Sequence, residues 1–246
     1  MNFKNIFLVF TMLFSTVMLY AQQDKTATVI NRFADITATV GQSQGTASAS
    51  FVNNWKLGDK KKWELGLGLR YTSYSGTKKD YITAPAKLSR STTFPFAIVF
   101  AGQETQNWDT LTVQRPFTHS LNLTGNIGYS FNEKWYGGVN IDLIGFTVGR
   151  NSSAILTSNG NTVTESKARP SAFNLLLTGD NDLGTLNSEF FLKYNINKQW
   201  SIKAVYQFLF NEYSTTSVFQ TAPDGTVVDR FRNKINAFGA GVSYNF

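Results

Sequence analysis

The chain has 246 residues and a formal net charge of +7, with 23 Lys and Arg against 16 Asp and Glu, and it contains no cysteine. The lack of cysteine excludes a disulfide framework and a lipoprotein anchor. The basic residues are scattered over predicted turns and loops, so we expect no nucleic-acid binding.

The N-terminus indicates a secretory signal peptide. Lys4 precedes an apolar run from Ile6 to Tyr20, and Ala21 ends a cleavage site. An uncleaved anchor helix is the alternative, although the run is short for one. Beyond it, no apolar stretch reaches the roughly 20 residues of a transmembrane helix, so a membrane crossing must be made by strands. We therefore predict a signal peptide at 1–21 and one β-domain at 22–246.

The segment Trp63–Tyr74 alternates between two kinds of side chain, as a strand with one apolar face does. Leu69 falls on the predicted outward face and Arg70 on the inward face. In Trp135–Val148 the apolar residues change face at Ile144, which indicates a β-bulge. Three further segments alternate in the same way: His119–Phe131, Glu189–Ile196 and Trp200–Asn211.

Three short segments between these strands share one design, in which an apolar strand end is followed by Asn, Asp, Gly or Lys and then by Trp. They are Trp55–Trp63, Phe131–Trp135 and Ile196–Trp200. Asn and Gly tolerate the positive φ angles of tight turns, and Trp favours the boundary between membrane and water. The pattern predicts three periplasmic turns edged by an aromatic girdle. The alternative is that Trp is simply a good strand residue.

The last residues form an alternating strand that runs to the C-terminus. Its apolar face carries Phe238, Ala240, Val242, Tyr244 and Phe246, and its other face carries small or polar residues. This ending resembles the closing strand of bacterial outer-membrane β-barrels, which terminates in Phe. With the export signal and the Trp-edged turns, it makes the whole mature chain similar to small outer-membrane β-barrel proteins of Gram-negative bacteria.

The resemblance implies an all-β fold, namely a transmembrane, antiparallel, up-and-down β-barrel that is integral to the cell outer membrane. Both termini are then expected in the periplasm. The expected partners are outer-membrane lipid, including lipopolysaccharide, and the barrel-assembly machinery, which would engage the C-terminal strand. The extracellular ligand stays open.

We predict eight strands, because the periplasmic turns and the closing strand give seven and single-chain bacterial barrels have even numbers. Thr26–Val40 supplies the first strand, although the facing of its lower half is ambiguous. Ten strands result if Thr92–Ala101 and Trp108–Gln114 insert as a further pair, but Pro95 and Pro116 suit central strands poorly. Function usually lies in loops. We expect three long outer loops: Ser75–Pro116, Gly149–Gly184 and Ser214–Arg232.

The predicted inward face carries several charges. They are Glu64, Arg70, Asp142, Glu189, Lys193 and Lys203. The interior of an eight-stranded barrel is just wide enough for side chains to fill. We therefore expect these charges to pair with one another and close the bore, and a proton or ion path is the alternative.

His119 is the only histidine, and it lies beside Ser120 at the outer end of the fourth predicted strand. Outer-membrane lipid A deacylases and palmitoyltransferases, which are eight-stranded barrels, use a His with a Ser and an acidic partner. Such catalysis needs the base within hydrogen-bond reach of the hydroxyl. Adjacent strand residues point to opposite faces, so we expect the two side chains to diverge and assign no catalytic residue.

Two loop segments invite a functional interpretation. Asp180–Asn181–Asp182 offers oxygen ligands for Ca²⁺, but it lacks the spacing of the helix-loop calcium motif. We therefore expect an Asx-type turn, with no metal and no cofactor. Phe94–Phe100 is unusually apolar for a loop, and three placements are open: over the barrel mouth, in the outer leaflet, or against a partner.

Many basic residues lie at or above the predicted outer rim, where they suit the phosphates of outer-leaflet lipid. They are Lys78, Lys79, Lys87, Arg90, Arg150, Lys167, Arg169, Arg230 and Arg232. Our leading hypothesis is a non-enzymatic barrel whose three long extracellular loops serve surface binding or envelope support. An outer-leaflet lipid A-modifying enzyme and a narrow pore for small solutes are the alternatives, because one fold serves many functions.

Overall fold

The computed structural model describes residues 30–95, 97–158, 160–222 and 224–246. The predicted signal peptide therefore lies outside the described residues. The first predicted strand is observed from Ile30 to Gly41. None of the helices within these ranges is long and apolar enough to span a membrane.

Strands make up nearly all of the regular structure. In chain order they are β1 (Ile30–Gly41), β2 (Gln44–Leu57), β3 (Trp63–Gly76), β4 (Lys78–Thr83), β5 (Thr110–Gln114), β6 (Phe117–Ser130), β7 (Trp135–Gly149), β8 (Ser152–Ser158), β9 (Asn161–Pro170), β10 (Phe173–Leu175), β11 (Leu186–Asn195), β12 (Trp200–Ser214), β13 (Gln220–Thr221), β14 (Val227–Val228) and β15 (Arg230–Asn245). The connections also contain a short helix, α1 (Ala86–Ser89), and 3₁₀ turns at Ala97–Phe100, Thr105–Asn107 and Gly179–Asn181.

The longest strands form a ring in the order β1–β2–β3–β6–β7–β11–β12–β15, which we call the eight-strand ring. β15 closes it antiparallel onto β1, with Val40 opposite Phe238 and Phe33 opposite Asn245. At one end of the ring, short turns join β2 to β3, β6 to β7 and β11 to β12, as the sequence predicted. We call this end the turn end and the opposite end the loop end.

At the loop end, six strands form a second ring, which we call the head. β1 and β2 end in a tight turn, in which Ser43 has a φ of 57°. Beyond this turn, β15 no longer pairs with β1 and pairs with β4 instead, with Arg232 opposite Ile82. In the same way, β12 pairs with β11 in the eight-strand ring and with β9 in the head, where Tyr213 lies opposite Pro170. The pairs β4–β5, β5–β8 and β8–β9 complete the head, which shares β12 and β15 with the eight-strand ring.

The complete circuit of neighbouring strands therefore contains twelve members, and the predicted total of eight is not confirmed. The difference arises because Ser75–Pro116 and Gly149–Gly184, which were expected as loops, carry β4, β5, β8, β9 and β10. The ten-strand alternative requires Thr92–Ala101 to be a strand. Ala97–Phe100 is a 3₁₀ turn, so that alternative is wrong.

The eight-strand ring is apolar outside and polar inside, as the alternation predicted. On β3, Leu69 points outward and is 54% exposed, whereas Arg70 points inward and is 1% exposed. β6, β11 and β12 follow the same pattern. The predicted bulge is present, because the partner of β6 jumps from Ile144 to Asp142 and leaves Leu143 as the extra residue.

Two of the turns are built from the same contacts. Oδ1 of Asn132 accepts hydrogen bonds from the N–H groups two and three residues further on, both at 2.9 Å, and Asn197 does the same at 2.9 and 2.8 Å. The Trp after each of the three turns packs edge-on against a tyrosine of the neighbouring strand, with ring centroids 4.8 to 5.0 Å apart. These pairs are Trp63–Tyr129, Trp135–Tyr194 and Trp200–Tyr244. An aromatic belt therefore surrounds the turn end.

The head has an apolar interior. Its core consists of Tyr81, Leu111, Val113, Ala154, Leu156, Ala168, Tyr213 and Phe231. Tyr213 and Phe231 lie opposite each other on β12 and β15, in the same inward-facing rows as Leu209 and Ile235 of the eight-strand ring. The core of the head therefore lies directly over the loop end of the lumen.

Candidate functional site: the charged lumen and its two ends

Charged side chains inside the eight-strand ring form a continuous row of alternating sign, which we call the ion row. Its members are, in order, Asp142, Arg70, Glu189, Lys203, Asp35 and Lys193. Arg70 lies 2.5 Å from Asp142 and 3.9 Å from Glu189. Lys203 contacts Glu189 and lies 2.8 Å from Asp35, which lies 2.9 Å from Lys193. Acids and bases alternate, so the row as a whole is neutral.

The ion row crosses the bore, because its members come from β1, β3, β7, β11 and β12, which lie around the ring. The second carboxylate oxygen of Asp142 accepts hydrogen bonds from Asn122 Nδ2 at 2.7 Å and from the N–H of Asn187 at 2.9 Å. Removing one partner of a buried ion pair leaves an uncompensated charge, at a cost of about 3–5 kcal/mol. The pairing predicted for Arg70 and its neighbours is confirmed.

Glu64 was predicted to pair with the other inward charges, but it is not a member of the ion row. It is buried, but its Oε2 accepts hydrogen bonds from the Tyr136 hydroxyl at 2.9 Å and from Asn31 at 2.8 Å. Tyr136 fits because Gly128 has no Cβ, which would lie 1.8 Å from the tyrosine hydroxyl. The acid that joins the ion row instead is Asp35, whose facing the sequence left ambiguous.

A cavity of about 520 Å³ opens at the turn end of the lumen. Phe33, Glu64 and Tyr136 line its wall, and it reaches Lys193, the last member of the ion row. The ammonium of Lys193 lies 3.2 Å from the centroid of the Phe33 ring. Five lysines contribute to its lining near the turns: Lys56, Lys60, Lys61, Lys62 and Lys198. The lumen is thus open at the turn end and obstructed further in by the ion row.

At its other end the lumen meets the apolar core of the head. The hydroxyl of Tyr81 donates a hydrogen bond to Asn211 Oδ1 at 2.7 Å. The hydroxyl of Tyr213 accepts a hydrogen bond from the N–H of Phe117 at 3.2 Å and donates one to the carbonyl of Arg150 at 3.1 Å. Apolar side chains fill the head above this level, so they seal the loop end of the lumen.

Glu165 of β9 fastens the connection between β12 and β15 to the head. Its buried carboxylate accepts hydrogen bonds from the N–H groups of Thr216, Ser217 and Lys167, each at 2.8 Å. Burial acts to raise the pKa of Glu165, but these hydrogen bonds outweigh it and lower the pKa to about 2. The hydrogen bonds to Glu165 thus favour its ionised form.

A second charged cluster lies at the loop end, around Asp180. This side chain contacts Arg90 and lies 2.7 Å from Lys234 and 3.6 Å from Arg232. Burial acts to raise the pKa of Asp180, but Lys234 and Arg90 hold it below its usual range. Cationic side chains thus occupy the surroundings that Ca²⁺ would need. Among the described residues, no three His, Asp or Glu side chains are grouped to hold a metal ion.

Four of the nine basic residues of the predicted rim form ion pairs with carboxylates of the protein itself. Arg90 and Arg232 contact Asp180, Arg230 lies 2.9 Å from Glu212, and Lys87 forms a 2.6 Å pair with an aspartate of the same region. These four side chains are engaged in intramolecular ion pairs. The other members of the predicted rim are Lys78, Lys79, Arg150, Lys167 and Arg169.

His119 lies on the outward face of β6 between aromatic rings. Its Nδ1 shares a hydrogen bond of 2.6 Å with the hydroxyl of Tyr71, and its ring packs edge-on against Phe117 with centroids 4.6 Å apart. Ser120 points into the lumen and is buried, so the two side chains diverge as predicted. The site therefore holds a His–Tyr pair rather than a His–Ser pair.

Sequence reasoning missed the head and the residues that hold it. One signal was present: Asn159–Gly160 stands between two alternating segments, which is a hairpin pattern, and Gly160 has a φ of 78°. Glu165 and Asp180 carry no comparable signal, because their partners are distant in sequence. Glu165 and Thr216, for example, are 51 residues apart.

Comparisons with known proteins give structural similarity alone. No protein-family model matches the chain, and no curated protein matches its sequence. Among solved structures it is similar to Neisserial surface protein A (NspA), with 11% identity, a TM-score of 0.35, and coverage of 88% of this chain and 96% of that one. It is also similar to Ail, the attachment invasion locus protein of Yersinia pestis, with 10% identity, a TM-score of 0.36, and coverage of 89% and 100%. Both are small bacterial outer-membrane β-barrel proteins.

Proposed function

We propose that the chain is an integral β-barrel protein of a bacterial outer membrane and that the eight-strand ring crosses the bilayer. The supporting observation is the inverted distribution of side chains, because Ile36, Leu69 and Phe238 are exposed on the outer wall while the ion row is buried inside. Apolar surface left in water costs about 25 cal/mol per Å². A hydrocarbon layer would cover this wall, and the closed ring leaves no unpaired strand edge.

The dimensions of the ring support this placement. β3 has 14 residues and β7 has 15, and at roughly 3.3 Å per residue with a tilt of about 40° they rise about 35 Å. That height exceeds the roughly 25 Å apolar band of an outer membrane. The Trp–Tyr pairs suit a membrane–water boundary at the turn end. The turn end and both termini then face the periplasm, and the head faces outward.

The activity that this geometry supports best is non-enzymatic display of the head and its connections for surface binding or envelope support. The ion row obstructs the bore and the core of the head seals its outer end, which favours a closed barrel over a pore. His119 shares its hydrogen bond with the hydroxyl of Tyr71, and Ser120 points away into the lumen, so these two neighbours do not form a serine–histidine pair.

The proposed partners follow from the surfaces that the ring and the rim leave available. Outer-membrane lipid would cover the apolar wall, and lipopolysaccharide phosphates would meet Arg150 and Lys78 at the outer rim. The barrel-assembly machinery would engage β15, which pairs with β1 along the closing seam. The ligand of the head is unassigned.

Refolding of residues 22–246 into lipid vesicles tests the proposal. We expect the protein to float with the vesicles, to migrate differently on gels before and after boiling, and to give no stepwise conductance in planar bilayers. A monodisperse soluble monomer without detergent would refute the membrane location. Stepwise conductance would refute the closed barrel while leaving the membrane location intact.

A further inference from the structure

Three side chains at the loop end break the pattern of the outer wall. Phe210 and Glu212 continue the outward row of β12 that includes Ile202, and Arg232 lies directly opposite Glu212 on β15. Ile202 is exposed, but Phe210, Glu212 and Arg232 are buried. Another part of the chain therefore covers the wall at this level.

The cover is a lobe made of residues 84–95 and 97–109, which follow β4, and residues 176–185, which connect β10 to β11. Asp180 joins the two segments to the wall, because it contacts Arg90 within the lobe and Lys234 on β15. The lobe is thus attached to the outer wall of the barrel, beside the ring. Of the three placements left open for its apolar segment, these contacts favour one outside the barrel mouth.

The apolar segment Phe94–Phe100 has a fixed position in the lobe. Asn181 Nδ2 donates a hydrogen bond to the carbonyl of Thr93 at 3.0 Å. Ile98 is buried against Gly179, where an added Cβ would lie 3.4 Å from the isoleucine side chain. These contacts hold the segment against the 3₁₀ turn at Gly179–Asn181.

The lobe continues the apolar wall. β10 pairs with β7 above the bulge, with Phe173 opposite Phe146 and Leu175 opposite Ile144. Phe146 and Ile144 are exposed on the outward face, and opposite residues of an antiparallel pair share one face. Leu177, two residues further along the same outward row, is also exposed and enters the lobe directly. The outward row of β10 therefore carries exposed apolar side chains from the wall to the start of the lobe.

We propose that the lobe dips into the outer leaflet and places Phe94, Phe100 and Leu177 among the lipid acyl chains. These side chains are 60%, 91% and 47% exposed. Exposed apolar clusters of this kind mark a contact surface, and the continuity with the wall that lipid covers identifies lipid as the occupant. The inference rests on the membrane location proposed above.

Single cysteines carrying a nitroxide spin label provide the test, since the natural chain has no cysteine that would interfere. The labelled variants are Phe94→Cys and Phe100→Cys, refolded in phosphatidylcholine vesicles. Ile202→Cys on the outer wall is the lipid reference, and Val163→Cys on β9 of the head is the exposed control. Power saturation then compares accessibility to oxygen, which concentrates in lipid, with accessibility to a water-soluble nickel chelate.

We expect the ratio of oxygen to nickel accessibility at positions 94 and 100 to be several-fold higher than at position 163 and to approach that at position 202. Water-like ratios at 94 and 100 with a lipid-like ratio at 202 would overturn the lobe inference alone. A water-like ratio at 202 would overturn the membrane location itself. Spin–spin broadening at 94 or 100 would assign the surface to a second copy of the chain and would also overturn the inference.

Discussion

The eight-strand ring and the head bury opposite kinds of side chain. The interior of the ring holds the ion row and its outer wall is apolar, whereas the head encloses Leu111, Phe231 and their apolar neighbours. The outer face of β9 is mostly polar or small. β12 and β15 run through both regions, so the backbone does not explain the change. The difference indicates that two media surround one sheet, hydrocarbon at the ring and water at the head.

A single inward-facing row of β12 contains the transition. Lys203 and Gln207 belong to the polar lumen, while Leu209 and Tyr213 pack in apolar clusters. The row is therefore mainly polar as far as Gln207 and mainly apolar from Leu209 onward, with buried Asn211 as a polar exception.

The largest effect is expected from Arg70→Met in the ion row. The variant leaves the buried carboxylates of Asp142 and Glu189 without their shared cation, so the free energy of unfolding should fall by about 3–5 kcal/mol. Denaturant titration of the protein in vesicles, followed by tryptophan fluorescence, measures this change. Arg150→Met at the exposed rim is the matched control, for which we expect a change below about 1 kcal/mol. Equal losses in both variants would show that the ion row does not stabilise the ring.

Leu111→Ala should act on the head instead. It removes buried volume from the apolar core, which costs about 2–5 kcal/mol. Hydrogen exchange should accelerate in β4, β5, β8 and β9 and stay unchanged in β3 and β6 near the turn end. Val163→Ala, at an exposed position on β9 of the same head, should leave the exchange rates unchanged. Faster exchange throughout β3 and β6 would contradict the separation of the two regions.

Glu165→Gln should loosen the connection between β12 and β15, because a neutral amide accepts hydrogen bonds from Thr216 and Ser217 more weakly. The expected loss is about 1–3 kcal/mol. The folded pKa of about 2 lies below the unfolded value of about 4.3. The stabilisation is therefore complete above about pH 4.3 and is lost as the pH falls toward 2.

Pepsin cleavage of this connection measures the pH effect. In the wild type, cleavage should increase as the pH falls from about 4 to about 2, which is the interval between the unfolded and the folded pKa of Glu165. Glu165→Gln should already be cleaved faster at pH 4 and should depend less on pH. Glu133→Gln at the turn end serves as the control. A variant with the wild-type pH dependence would show that Glu165 does not hold the connection.

The smallest effects are expected at the turn end. Asn132→Ala and Asn197→Ala each remove the same pair of hydrogen bonds to backbone N–H groups, so each should lower the free energy of unfolding by about 0.5–1.5 kcal/mol. Because the turns are solvent-exposed and equivalent, the two losses should agree closely in the same denaturant titration. A loss confined to one turn would contradict their equivalence.

The sequence predicted the features that depend on local periodicity. Alternation identified the outward position of Leu69, the inward position of Arg70 and the bulge after Asp142, because the medium on each face selects the residues directly. The head was harder to predict because β8 and β9 are short and mix polar and apolar residues, so the Asn159–Gly160 hairpin pattern between them is the main local signal. The lobe was beyond prediction for another reason: Asp180 lies in the connection between β10 and β11 and Lys234 lies on β15, and only the folded chain brings them together.

The central claim is that lipid covers the outer wall of the eight-strand ring while water surrounds the head. An oxygen-accessibility scan of spin labels along Trp200–Ser214, in vesicles, tests it most directly. The account predicts alternation with a period of two, with lipid-like values at Ile202, Ala204 and Tyr206 and low values at Ser201, Val205 and Gln207, and an end to the lipid-like values at Phe210. A scan without that alternation, or with water-like values at Ile202 and Tyr206, would contradict it.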